Sequence, residues 1–387
     1  MLKSKILRQP KHVLLFGLFA LLLFMGHRTG FITLLALFCI LVPLFVPINR
    51  YIDTLGLLLI TFTICFTCIG VFNGYVKSLS TAIAYFIPSV FFYFIGRYIV
   101  DKLEFKYQII NMVILIIALY SLEIYTSIIG SIMSTGSIIN TSRLFYFGGD
   151  EGRQLTATLV GLGVALGFVG LPMGIIYKEN RLVRCLFLIL FLLSLITTVH
   201  LVNRTGLVVC ILSLLITLLY YYRTNTYQLF FALIASVILY FLVLKLGIIN
   251  QEVIDAYASR NEVDLELGGG RIDKWIDAFK QLFMSPFGWA ANVGKTDIFV
   301  HNMWLDIARV TGLIPFGVLV CCTIASFKVL LKLMRIKKDI IVAMLLSLNV
   351  CFFISFFVEP VYGGLHFFLY VMVWGIQKQY LVRFNRS

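Results

Sequence analysis

Several basic side chains and one amide stand where apolar segments of this chain meet polar ones. Arg153 opens an apolar run in Asp150-Glu-Gly-Arg-Gln-Leu-Thr-Ala-Thr158, and Arg204 sits in the short turn Val199-His-Leu-Val-Asn-Arg-Thr-Gly206. Arg271 follows the glycine run at 268–270, and His301-Asn302 precedes the apolar run that starts at Met303. Three guanidiniums suit a multiply anionic ligand such as a diphosphate, because each offers a planar fork of donors that matches phosphate oxygens. An unperturbed histidine titrates near pH ~6.5, so a neutral His301 can take a proton from a hydroxyl; it is the leading general-base candidate. His200 ranks second, with Arg204 four residues on and on the same face if one helix continues through both.

Each of these residues also has a plainer reading. An arginine at the end of an apolar helix snorkels to headgroups or pairs with a carboxylate, and a histidine at a helix start caps it or bonds at the interface. The glycines at 268–270 either let the backbone approach phosphate oxygens or form a hinge. Asp264-Leu-Glu266 looks like a metal-holding carboxylate pair, but its acidic surroundings read as a solvated loop. No essential metal and no cofactor is expected.

The elements that must position these groups are membrane helices. The chain has 387 residues, 60% hydrophobic and 13% charged, and apolar runs long enough to cross a hydrocarbon core recur from one end to the other. The expected fold is an all-α, polytopic transmembrane bundle, a single domain over 1–387. About twelve spans are expected, near 12–27, 30–48, 54–73, 80–100, 107–130, 154–177, 183–201, 205–222, 226–247, 303–331, 339–358 and 363–381. The net charge of +14 comes from basic residues at the ends of apolar runs, which is a topology signal rather than a nucleic-acid footprint. Most of the 32 lysines and arginines fall on the side of the N-terminus, so the positive-inside rule puts both termini in the cytoplasm. The first apolar run follows Lys3, Lys5, Arg8 and Lys11 but leads straight into another span, so it reads as retained. All eight cysteines lie within apolar segments, as small core residues.

Two longer segments then face outward, roughly 131–153 and 248–302. Within the second, Arg271–Met284 carries Ile272, Trp275, Ile276, Phe279, Leu282 and Phe283 at helical spacing, opposed by Asp273, Lys274, Asp277 and Lys280. This predicts an amphipathic helix at the membrane surface with Trp275 near the headgroups, acting as a lid or as plain cover for the bundle.

Three stretches carry a family resemblance: Asn203-Arg-Thr-Gly-Leu-Val-Val; Gly270-Arg-Ile-Asp-Lys-Trp followed by Ser285-Pro-Phe-Gly288; and His301-Asn302 with Gly312 beyond it. Together they resemble the superfamily of O-antigen ligases and O-antigen or capsular polysaccharide polymerases, bacterial membrane glycosyltransferases in which such a His-Asn pair closes a large periplasmic loop. The resemblance covers residues 140–330 well and the N-terminal third by hydropathy alone. It implies a glycan donor on undecaprenyl diphosphate and a sugar-hydroxyl acceptor, joined at the outer leaflet of the inner membrane without nucleotide sugar or metal. His301 would be the base; Arg204 and Arg271, helped by Arg153, would neutralise the leaving diphosphate. Asn302 and His200 would complete the substrate site.

The acceptor is either another lipid-linked repeat unit, in a polymerase, or lipid A-core, in a ligase. Outward basic residues beyond the arginines are few, Arg260 and Lys295, which favours the polymerase. Membrane lipids are partners in either case, and a chain-length regulator is an optional one; nucleic acid is not expected. A flippase or transporter of lipid-linked oligosaccharide is the competing class, and it calls for polar residues at mid-membrane depth.

Overall fold

The computed structural model describes residues 10–25, 31–78, 81, 87–103, 105–137, 144–145, 154–155, 157–223, 227, 271–290, 300–336, 338–358 and 364–386. Among them the secondary structure is helical apart from one two-residue antiparallel pair, β1 (Leu144–Phe145) with β2 (Gln154–Leu155). The helices are α1 (Pro10–Phe24), α2 (Phe31–Phe45), α3 (Thr54–Phe72), α4 (Ile87–Lys102), α5 (Lys106–Thr135), α6 (Ala157–Gly167) and α7 (Gly170–Ile176). They continue with α8 (Arg181–His200), α9 (Arg204–Tyr221), α10 (Arg271–Met284), α11 (Met303–Thr311), α12 (Leu313–Ile336), α13 (Ile340–Val358) and α14 (Leu365–Arg386).

Six of these, α3, α5, α8, α9, α12 and α13, are long and apolar enough to cross a membrane. They are apolar on their outer faces too: α3 exposes Leu57, Ile64 and Val71, and α8 exposes Leu182, Ile189 and Ile196. Rows of exposed aliphatic side chains along several helices would aggregate in water and are at home in lipid. The chain is a membrane protein with the make-up of a helix bundle. Its eight cysteines are all free thiols, of which Cys39, Cys322 and Cys351 are buried while Cys68, Cys185 and Cys321 lie on outward helix faces rather than in the core.

Two expected spans are interrupted. The run 154–177 divides into α6 and α7 around Phe168-Val169, and 303–331 divides at Gly312, whose φ of +79° ends α11 and starts α12 in a new direction. Apart from Tyr227, the span expected at 226–247 lies outside the described residues, as do the glycines at 268–270 and Asp264, Glu266, Arg260 and Lys295.

The chain divides into two compact units. The first comprises residues 1–120, 273–337 and 356–387. In it α4 and α14 cross closely, because Gly96 sits against the carbonyl of Met372 and Gly375 against that of Tyr93. A side chain at either glycine would collide with backbone, so small residues let the two helices meet. Helix α3 is fixed at both ends. Asp53 caps it by accepting from Gly56 N at 2.8 Å and pairs with Arg97, while Lys378 lies 3.8 Å away. At the other end Asn73 donates from Nδ2 to the carbonyls of Phe287 at 2.5 Å and Val310 at 2.9 Å. The nineteen residues between these ends measure about 28 Å, close to the ~30 Å of a hydrocarbon core.

The second unit comprises residues 121–272 and 338–355. Glycine again sets its spacing: Gly170 of α7 meets the Phe187 carbonyl of α8, and Gly206 of α9 meets the Thr198 side chain. Tyr125 and Ser194 share a buried hydrogen bond of 2.7 Å, and Ser213 and Ser347 one of 2.6 Å.

Candidate functional site

Helix α11 begins with Asn302 as its cap. The Asn302 Oδ1 accepts from Leu305 N at 3.2 Å, and its Nδ2 donates to the carbonyl of Phe357 at 3.1 Å. One amide therefore closes the start of α11 and the end of α13 together, meeting a donor and an acceptor that helix ends otherwise leave unpaired. His301 precedes this cap, half-buried, with φ at +57°. It is not itself the cap.

Asp306, fully buried in α11, accepts from Val300 N at 3.0 Å and from Asn302 N at 3.3 Å, and Arg309 Nε lies 3.3 Å from it. Trp304 of α11 donates from Nε1 to Thr323 Oγ1 at 3.1 Å. Because Thr323 lies well along α12, α11 folds back beside α12 after Gly312 instead of extending it.

Two stretches far apart in sequence interlock at that fold-back. Leu313 N donates to the Pro286 carbonyl at 2.8 Å, and Trp289 N and Ala290 N donate to that of Arg309 at 2.9 and 3.0 Å. Gly288 and Gly312 both have positive φ, +102° and +79°, and each faces backbone of the other turn. Only glycine fits both the dihedral and the space.

Helix α10 is divided into three faces. Trp275, Ala278 and Leu282 pack inward with Trp289, Val300, Ala308, Leu305 and Phe316. The Trp275 indole N–H donates to the Val300 carbonyl at 3.0 Å, and its ring meets that of Phe357 edge-on. Roughly 100° round the helix, Ile272, Ile276, Phe279 and Phe283 form a second apolar face that is exposed, and Asp273, Lys274, Asp277 and Lys280 make the third. Trp275 thus belongs to the inward face.

In the second unit His200 ends α8 and Arg204 begins α9, so one helix does not carry both on a single face. Val202 (φ +50°) turns the chain between them, and Asn203 caps α9 by accepting from Gly206 N at 3.0 Å. His200 is fully buried and its Nε2 lies 3.1 Å from Ser131 Oγ. Arg204 and Arg271 are half-buried first residues of α9 and α10. Arg153 lies outside the described residues.

No family model matches this chain, and no curated protein does. The residues must therefore carry the functional reading themselves.

His301, Asn302 and Gly312, quoted from sequence as one motif, are gathered with Ser285-Pro-Phe-Gly288 around α11; His200 and Arg204 flank one turn. Sequence reasoning passed over Asp306, Arg309 and Phe357. Asp306 had a usable signal, since a carboxylate in an apolar run demands a partner, the same test that singled out the arginines. Among the described residues no group of three or more His, Cys, Asp or Glu is arranged to hold a metal ion.

Proposed function

We propose that this chain is a membrane glycosyltransferase that polymerises glycan repeat units carried on undecaprenyl diphosphate, at the periplasmic face of a bacterial inner membrane. The observation that carries the reading is the start of α11: a half-buried histidine with a constrained backbone, beside the last turn of a membrane-length helix and under an amphipathic helix. In the topology proposed here both termini are cytoplasmic, about twelve helices cross the bilayer, and 248–302 is the large outward loop. The basic residues Arg97 and Lys378 gather at the Asp53 end of α3 while α10 and α11 join its other end, an asymmetry that supports this orientation.

In the proposed step His301 takes the proton of an acceptor sugar hydroxyl as that oxygen attacks the anomeric carbon of the donor. The bond from that carbon to the diphosphate oxygen breaks, and its electron pair leaves with the undecaprenyl diphosphate. Diphosphate is already a good leaving group, so the demand is for positive charge to neutralise it, the role given to Arg204, Arg271 and Arg153. The family resemblance would add His200 and Asn302 as substrate-binding residues. In-line attack inverts the anomeric centre; retention in the product, read by NMR of the linkage, would contradict the mechanism.

The deciding experiment restores a deletion strain with wild type, His301→Ala, Arg204→Ala or Arg271→Ala at matched expression and runs the surface polysaccharide on a gel. Collapse of the ladder to a single-repeat band supports the polymerase. Free lipid-linked polymer with bare core supports the ligase, and three wild-type ladders end the catalytic reading.

One observation favours the transporter class. Along α14, His366, Tyr370, Trp374 and Gln377 recur at helical spacing and are all buried; Tyr120 Oη lies 3.0 Å from His366 Nε2, and Ser326 bonds Gln377 at 3.1 Å. Buried polar groups inside a membrane bundle also line transport paths. Movement of a fluorescent lipid-linked glycan across a proteoliposome bilayer, without product formation, is the result that would favour this reading.

A further inference from the structure

His301 and Val202 are the non-glycine residues with left-handed backbone among those described, and His301 is the one proposed to do chemistry. A residue with a Cβ keeps that conformation only when its surroundings hold it there. One carboxylate bonds to both of its neighbours in the chain. Asp306 Oδ1 accepts from Val300 N, immediately before His301, and Oδ2 accepts from Asn302 N, immediately after it, at 3.0 and 3.3 Å. The amide N–H groups of the residues before and after the histidine are thereby tied to one buried group, and the turn is taken up at residue 301. Arg309 Nε steadies Oδ1 at 3.3 Å, and the outer frame is closed by Trp275 on the Val300 carbonyl and Asn302 on that of Phe357.

We propose that Asp306 is the positioning residue for His301, gripping the backbone on either side so that the imidazole is presented in one orientation. This rests on the reading of His301 as the general base. An acid in the first turns of a helix also stabilises that helix through its dipole, so the test must separate orientation of the ring from stability of α11.

The full-length protein is reconstituted in lipid nanodiscs as wild type and Asp306→Asn. Carbethoxylation by diethyl pyrocarbonate is followed at each histidine by peptide mass spectrometry, alongside kcat and KM with a lipid-linked repeat unit. Asparagine keeps one acceptor but points an N–H at one of the two backbone donors, so one side of the grip is lost. The expected result is a change of about threefold or more in the modification rate of His301, with His200 and His366 unchanged, and a fall of about tenfold in kcat at constant KM. An unchanged rate at His301 overturns the proposal whatever kcat does. A changed rate with unchanged kcat upholds the grip while removing His301 from the base role, which distinguishes the two failures. If Asp306→Asn does not fold, His301→Gly and His301→Ala are compared by thermal melting: glycine melting higher supports a left-handed residue held in place, and equal melting refutes it.

Discussion

Replacing Asn302 with alanine removes two hydrogen bonds made by one amide. Loss of the cap on Leu305 N costs about 1 kcal/mol in the usual case. Loss of the Nδ2 donor removes a part-buried bond to the Phe357 carbonyl, at about 0.5–1.5 kcal/mol, so the change sums to about 1.5–2.5 kcal/mol. Asn302→Asp separates the parts: the carboxylate still accepts from Leu305 N but turns a second oxygen toward the Phe357 carbonyl, so the α13 contact alone is lost and becomes repulsive. Thermal melting in detergent, followed by tryptophan fluorescence, has natural reporters in Trp304 and Trp275. Both variants should melt several degrees below wild type. If both melt with wild type while activity falls, the amide does its work on substrate and the double-cap account is wrong.

Arg97 is buried while its partner Asp53 is partly exposed and has Lys378 beside it, so Arg97→Ala should cost less than the ~3–5 kcal/mol of a fully buried pair yet reduce the yield of folded protein in size-exclusion profiles; adding Asp53→Asn should recover part of the loss. At the α4–α14 crossing, Gly375→Leu places a side chain against the Tyr93 carbonyl and should abolish folded yield, whereas Gly317→Leu, where a Cβ meets nothing, should be tolerated in the same profiles. Phe283→Trp reports the exposed face of α10: its fluorescence should be quenched by lipids brominated near the headgroups, and quenching by aqueous iodide alone would show that this face meets water.

Long apolar runs made the membrane class legible, because a helix that must cross lipid has little freedom in composition. The breaks were not legible. Phe168-Val169 and Gly312-Leu313 are apolar or small, and a hydropathy window averages over one reversed dihedral. The shared face expected for His200 and Arg204 failed for a related reason: Asn203 is a strong cap, and capping restarts the helix out of register with the one before it. At the candidate site the His301-Asn302-Gly312 spacing picked out residues that stand at the two ends of α11, but what that spacing does could not be read. The partners of Asn302 and Asp306 are backbone groups of Phe357 and Val300, and any residue type there supplies the same N–H and C=O. Backbone partners leave no trace in composition.

The fold-back at Gly312 decides where His301 stands. A straight helix from Met303 to Ile336 would be about 51 Å long, some 20 Å more than a hydrocarbon core, and would carry His301 far above the bilayer surface. Breaking it at Gly312 leaves α12 with about 36 Å, enough to cross, and returns α11 alongside it by about 13 Å. The return ends with Asn302 on the carbonyl of Phe357 in the last turn of α13, itself about 28 Å long and therefore close to a hydrocarbon core in length. Under the proposed function, a base at that height would meet the diphosphate of a lipid-linked glycan, whose phosphates would lie at the headgroup level because its polyprenyl tail is held in the core. Gly312 would then be required less for α11 or α12 than for the depth at which the histidine works, which is why its interlock with Gly288 ties the fold-back to the same turn that anchors α10.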